Sequence, residues 1–351
     1  MVRDLLRRLA DRETSDLPVL SVYLDMRQQA TGESPGRRTS LTVLRDRLRD
    51  IQATLGPRGD DVDSLEADVE RIQAFLDDDF DRAAQGLAIF ACSGTGLWET
   101  LETGTPFEDQ VSAGSVPELF QLARLLDEQQ TAIVAVVDSN TARLFVSRTG
   151  RLDEVEGPDD DPVHYRKRDS GGWSQARYQR HIDKHHADFA AEAAAAIEGL
   201  VEAYSADRLV VAGDEVAVSP LLQALPAHVS ERLGDVLRID IRAPRDQVAD
   251  EVEPVLRQME AEASAEAADA LVSAVRSGGL GTAGYDATVE AAGNGQVDRL
   301  VIASDAPLDE EARNDLIRLV TQSAGEIEVV EDHPGLARMG GVGALLRYRL
   351  D

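Results

Sequence analysis

Apolar positions along the chain follow two rhythms. Short, nearly unbroken runs predict buried strands at Leu17–Leu24, Gly86–Cys92, Ala132–Val137, Asp207–Gly213 and Arg299–Ala303. Spacings of three and four predict amphipathic helices near Thr39–Leu55, Ser64–Leu76, Pro117–Asp127, Ser174–Tyr204 and Leu308–Ser323, and a long Ala/Glu-rich one from about 246 to Ser277. Further strands are predicted at Gly96–Glu102, Leu237–Ile241, Glu326–Val330 and Gly343–Arg347. Ser219-Pro220 reads as an N-cap followed by Pro at the first helical position, opening a helix there.

These elements predict an α/β protein of three α/β domains, at 1–128, 129–245 and 246–351. In the middle one, Ala132–Val137, the turn Asp138-Ser-Asn, Arg143–Val146, the turn Arg148-Thr-Gly and Leu152–Val155 form a three-stranded meander. An acidic loop from Gly157 to Pro162 and an irregular segment then lead into the long helix. The last domain reads as three layers, α/β/α. No repeat of 20–50 residues is visible.

Composition changes this picture in one place. A hydrophobic content of 43% in 351 residues suits folded domains with their own cores. Acids outnumber bases 65 to 36, for a net charge of −29, and only Lys167 and Lys184 are lysines. Such a balance excludes a protein that coats nucleic acid through general positive charge. It fits a high-GC genome or a salty cytoplasm equally well. No apolar run approaches 18 residues, so no membrane span is expected. The N-terminus alternates charge and leucine as a short amphipathic helix rather than a signal peptide. Cys92 stands alone in an apolar run, so it reads as a buried hydrophobe without an intrachain disulfide partner, and the expected location is cytoplasmic.

Three motifs invite chemistry. Gly279–Gly284 satisfies G-x-G-x-x-G, but a dinucleotide site needs a strand before the glycines and here a helix precedes them. A helix end with a loop is the better reading. His181, His185 and His186 offer an i,i+4 pair but lack HExxH and a nearby cysteine, so no metal is expected.

The third is the segment His164–His186. It carries six Lys/Arg against two Asp, a net +4, which leaves −33 on the remaining 328 residues. It also holds both lysines, four of the six histidines and three of the eight Trp/Tyr residues. Cations for phosphates with interleaved rings for stacking are the footprint of an RNA contact. Helical geometry separates two stripes. Phe189, Ala193, Ile197, Leu200 and Tyr204 share one side, and Arg177, Arg180, Lys184 and His185 share the opposite one. The Gly171-Gly172 loop sits at the tip, where unpaired N–H groups favour anions.

The run Gly171-Gly-Trp-Ser-Gln-Ala-Arg-Tyr-Gln-Arg resembles the GGQ loop and following helix of the archaeal and eukaryotic peptide-release-factor superfamily, which includes Pelota, the Vms-type peptidyl-tRNA hydrolases and bacterial relatives. The resemblance is best over 131–245. Residues 246–351 resemble the superfamily's third domain, with a fold like that of the kink-turn-binding ribosomal proteins, through Gly295–Ile302 and Gly340–Tyr348.

What the resemblance implies is specific. The middle domain would enter the ribosomal peptidyl transferase centre, where Gly171 and Gly172 let the backbone approach the tRNA 3′ end and Gln175 helps place water for ester hydrolysis. Arg166, Lys167, Arg168, Arg177, Arg180 and Lys184 would hold rRNA or tRNA phosphates, with Trp173 also in contact. The implied partners are the ribosome and peptidyl-tRNA, with a translational GTPase as a further candidate and no DNA or membrane. No cofactor or metal is called for.

Two departures bear on activity. Aligned without a gap, Trp173 occupies the Gln position, and Gln175 lies two residues late, nearer the spaced arrangement of the Vms-type hydrolases. No Asn-Ile-Lys-Ser motif occurs, which disfavours stop-codon reading. Two readings stay open: codon-independent peptidyl-tRNA hydrolysis that rescues stalled ribosomes, or a non-catalytic Pelota-like ribosome-binding or hibernation factor occupying the A site, with Trp173 stacking. A stress-associated protein that keeps the fold without binding ribosomes is the third.

Overall fold

The computed structural model describes residues 2–27, 36–54, 59–128, 131–148, 151–155 and 175–349, with the side chains of 36–38, 128 and 175–186 outside the description. The chain divides into two compact units: Met1–Glu128 with Ala261–Asp351, and Gln129–Glu260.

The N-terminal part of the first unit runs α1 (Val2–Ala10), β1 (Val19–Asp25), α2 (Gly36–Thr54), α3 (Asp60–Ala74), β2 (Gly86–Cys92), β3 (Leu97–Thr103), β4 (Gln110–Gly114) and α4 (Phe120–Glu128). The antiparallel sheet has the order β3-β2-β1-β4. Period-two alternation sends Leu20, Val22 and Leu24 to one face, against Leu44, Leu48, Leu65 and Ile72 of α2 and α3. Tyr23 faces the other way, edge-on to Phe90 and Phe107 with ring centroids 5.6 and 5.2 Å away. Cys92 is fully buried there.

The second unit contains β5 (Ala132–Val137), β6 (Ala142–Arg148), β7 (Arg151–Val155), α5 (Gln175–Tyr204), β8 (Arg208–Gly213), α6 (Glu215–Ala224), α7 (Ala227–Ser230), β9 (Leu233–Leu237) and the first half of α8 (Arg245–Arg276). The sheet order is β7-β6-β5-β8-β9, with β5, β8 and β9 parallel and the meander β5-β6-β7 antiparallel as expected. Ile133, Ala135, Val137, Leu209 and Val211 face α5 and α6. Val134, Val136, Phe145, Val210 and Ala212 face Val248 and Val252 of α8. A sheet covered on both faces explains why β5 and β8 read as continuous apolar runs.

The chain then continues through β10 (Gly281–Ala283), α9 (Tyr285–Gly293), β11 (Val297–Ala303), α10 (Glu310–Gln322), β12 (Glu326–Val330), α11 (Pro334–Ala337) and β13 (Val342–Leu346). Its sheet has the order β10-β13-β11-β12, with only β11 and β12 parallel among these pairs. The run Gly279–Gly284 begins three residues after α8 ends at Arg276 and takes in the whole of β10 and the residue before α9.

Two expectations are corrected. Leu237–Ile241 is not the closing strand: β9 is Leu233–Leu237. Ile239 instead packs into the core under α8, and the Ile241 and Ala243 carbonyls accept from Arg143 Nη1 at 2.9 and 2.6 Å. A side chain thus satisfies backbone groups that a neighbouring strand would otherwise have paired. Ser219-Pro220 does not open a helix either. Asp214 is the N-cap of α6, its side chain accepting from Ala217 N–H at 2.9 Å, and Pro220 lies inside the helix. Proline removes the bond to the Val216 carbonyl; Val216 is exposed, so water can take its place. Asp214→Ala is expected to cost about 1 kcal/mol of stability, read as a shift in urea midpoint.

Candidate nucleic-acid interface

β7 ends at Val155 and α5 begins at Gln175. Between them lie Arg166, Lys167, Arg168, Gly171, Gly172 and Trp173, all outside the described residues. Gln175, Arg177, Arg180 and Lys184 are helical positions of α5, and their side chains are outside the description. The structure therefore defines the mount on which the predicted site is carried.

Phe189, Ala193, Ala194, Ile197 and Val201 fall at spacings of three and four and are buried against the sheet. Leu200 and Tyr204 are partly buried beside them. The helix runs antiparallel to β5. Its C-terminal end leads into β8 through Ser205, at φ 49°, and the Ala206 N–H donates to Val201 O. Phe189, fifteen positions earlier, lies in a cleft with Val137, the last residue of β5. Residues 175–188 thus continue past the C-terminal ends of β5 and β8 for about 21 Å at 1.5 Å per residue.

Two carboxylates and a glycine shape that end of the sheet. Asp138 Oδ1 accepts from the N–H groups of Asn140 and Thr141 at 2.9 and 2.7 Å, closing the β5–β6 turn. Asp214 caps α6. Gly213 has φ 145°, and a Cβ there would stand 2.1 Å from the Val137 carbonyl oxygen. Sequence reading placed Asp138 in its turn and missed the cap at Asp214 and the close approach at Gly213. The Val-Ala-Gly-Asp run at a strand end was the available signal. The cleft holds room for about one water molecule, too small for a cofactor.

On the meander side, Arg143 braces β7 through Glu154, with Nε–Oε1 at 2.7 Å. The hydrogen bond from Arg143 holds the Glu154 carboxyl below its ordinary value. The same guanidinium bonds the carbonyls of Ile241 and Ala243. The chain thus leaves the sheet at Val155 from an edge strand held to β6 by its ladder and by the Arg143–Glu154 pair.

His181, His185 and His186 have no described side chains. Among the described residues, ligand atoms of Glu198, Glu202 and His228 come within 4.8 Å of one another, with His228 Nε2 3.4 Å from Glu198 Oε1. The i,i+4 glutamates are legible on α5, whereas His228 arrives from α7 without a local signal. Dense acidity produces such groupings, and nothing else at this one points to an ion. No described group forms a nucleophile–base pair at the end of the sheet. The arrangement can hold the first turns of α5 beyond the strand ends.

Comparison with known proteins gives a consistent result. Residues 117–257 match the family described as bacterial archaeo-eukaryotic release factor family 10. A Pelota homologue of Natronomonas pharaonis is 25% identical over 266 residues, 69% of each chain. Among solved structures, the chain is similar to an archaeal Pelota in a ribosome-bound assembly with ABCE1 (14% identity, 100% of this chain and 95% of that one, TM-score 0.48). It is also similar to Dom34 of S. cerevisiae, described as a translation termination-like factor (11% identity, 78% and 83% covered, TM-score 0.45).

Proposed function

We propose that this chain, whose residues 117–257 match the bacterial archaeo-eukaryotic release factor family 10, is a cytoplasmic translation factor that hydrolyses peptidyl-tRNA on stalled ribosomes without reading a codon. The observation that carries this reading is the division of α5. Its C-terminal half is packed into the sheet, while its N-terminal positions run on past the strand ends and carry the basic, aromatic-bearing stretch of an otherwise acidic chain.

The chemistry needs little apparatus. The peptidyl-tRNA ester is already activated, so catalysis amounts to positioning water and stabilising a developing oxyanion. Gly171 and Gly172 allow close backbone approach, and the Gln175 amide orients the water. Arg166, Lys167, Arg168, Arg177, Arg180 and Lys184 hold phosphates on rRNA or tRNA. A translational GTPase is the delivery partner this reading favours. Among the described residues no helix is long and apolar enough to cross a membrane.

The test adds purified protein to ribosomes carrying labelled peptidyl-tRNA. Gln175→Ala is expected to slow release by about 10²–10³-fold, the usual cost of losing one transition-state donor. Gly172→Ala should also abolish release, because a Cβ blocks backbone approach. Trp173 at the position of the superfamily's Gln favours a second reading, a non-catalytic occupant of the A site in which the indole stacks on a base. Co-sedimentation without release would select that reading. Failure to co-sediment at the organism's own salt would remove both.

A further inference from the structure

One buried carboxyl has no part in the function proposed above. Glu118 is 6% exposed, between β1 and α10 at the entry to α4. Among the described hydrogen bonds, its backbone groups tie it to β1, and its carboxyl bonds locally at the entry to α4. Its N–H donates to Ser21 Oγ of β1 at 2.9 Å, and its carbonyl accepts from Tyr23 Oη of the same strand at 2.7 Å. Its Oε1 accepts from the Phe120 N–H at 3.1 Å, capping α4.

The adjoining residues are clamped by α10. Asn314 Oδ1 accepts from Leu119 N–H at 3.0 Å, and Asn314 Nδ2 donates to Pro117 O at 2.8 Å. The Arg313 guanidinium lies 4.1 Å from the centre of the Phe120 ring, with its buried Nε lacking a hydrogen-bond partner. Three elements that are distant in sequence therefore meet at residues 117–120. An ionised carboxylate here would have one backbone N–H and a stacked guanidinium to replace its hydration shell, which is poor compensation for burial.

We propose that Glu118 is a proton-linked latch: neutral, it locks β1, α4 and α10 together, and ionised, it loosens that junction. The charged and titratable groups facing it are Arg313 and Glu310 of α10 and Tyr23 of β1. Burial raises the carboxyl to about 7, Glu310 adds to the rise, and the Phe120 N–H and Arg313 oppose it. The sign follows directly. A folded value above the unfolded one means the folded state binds the extra proton, so this stabilisation is full below about pH 4.5 and is lost as pH rises through 7. The proposal is independent of the translation reading.

The experiment follows hydrogen exchange of the Leu119, Phe120 and β1 amides in the full chain from pH 6 to 8, corrected for intrinsic exchange. In the wild type, the opening equilibrium should rise about tenfold across that range, the change expected for one carboxyl titrating near 7. Glu118→Gln should give a flat profile. Arg313→Met removes a facing positive charge, so it should move the midpoint to higher pH, an effect mere loss of packing cannot produce. A wild-type profile that is flat or parallel to that of Glu118→Gln overturns the proposal. So does an unmoved midpoint in Arg313→Met, which also decides the matter if Glu118→Gln fails to fold.

Discussion

Replacing Arg177, Arg180 and Lys184 together by Ala is expected to weaken ribosome binding by about 10²-fold near 0.1 M salt. It should also flatten the dependence of log affinity on log salt by about two to three. Each phosphate contact releases roughly 0.7–0.9 counterion, and the three positions share one side of α5 by register. The whole-chain charge of −29 magnifies the effect. A body this acidic would be repelled by rRNA, so on the proposed reading attraction centres on the stretch at 164–186 with its net +4. Removing three of its six cations lowers the local net charge from +4 to +1 and removes much of the steering that selects one orientation. The triple variant should keep its circular dichroism and urea midpoint, because the buried stripe begins at Phe189. Co-sedimentation across a salt series gives the answer. An unchanged slope would show that these residues do not contact phosphates, whatever the affinity does.

The sequence exposed different parts of the molecule unequally. β5 and β8 were legible because Ala-Ile-Val-Ala-Val-Val and Leu-Val-Val-Ala-Gly are too apolar for a half-exposed strand and too short for a buried helix. α5 was legible because its apolar spacing survives down to Tyr204. α6 was misplaced because two helix-start signals stand six residues apart. The cap at Asp214 prevails because it brings Val218 and Leu221 into the core, which overrides the preference of Pro for a first turn. The alternation at Leu237, Ile239 and Ile241 carried the periodicity of a strand although the segment packs without pairing. Leu119 and Asn314 are 195 residues apart, and no local pattern announces such a contact. In the candidate site, the basic segment stood out by composition alone. Its mount depends on backbone approaches such as that of Gly213 to Val137, which only three-dimensional pairing creates.

That approach supports the largest stability effect expected in the second unit. Gly213→Ala should cost about 3–5 kcal/mol, from overpacking and backbone strain together. A Cβ would sit 2.1 Å from the Val137 oxygen and 3.1 Å from its carbonyl carbon. Both atoms are backbone, so no rotamer change can relieve the clash. The φ of 145° is also one that side-chain-bearing residues rarely adopt. Relief requires the last register pair of β5 and β8, Val137 with Gly213, to separate. That opens the end of the sheet where Phe189 seats α5 and where Asp214 begins α6. Against a typical domain stability of about 5–15 kcal/mol, the loss is a large fraction. Ribosome affinity should fall with it, because the basic end of α5 would no longer be held in one place. Gly199→Ala is the matched control. It lies on α5 with nothing within 4 Å of an added Cβ, so replacing a helical glycine there should stabilise by about 0.5–1 kcal/mol. Urea unfolding followed by circular dichroism measures both variants. Equal midpoints for Gly213→Ala and the wild type would mean that the β5–β8 junction yields freely, and the rigid mount for α5 would have to be abandoned.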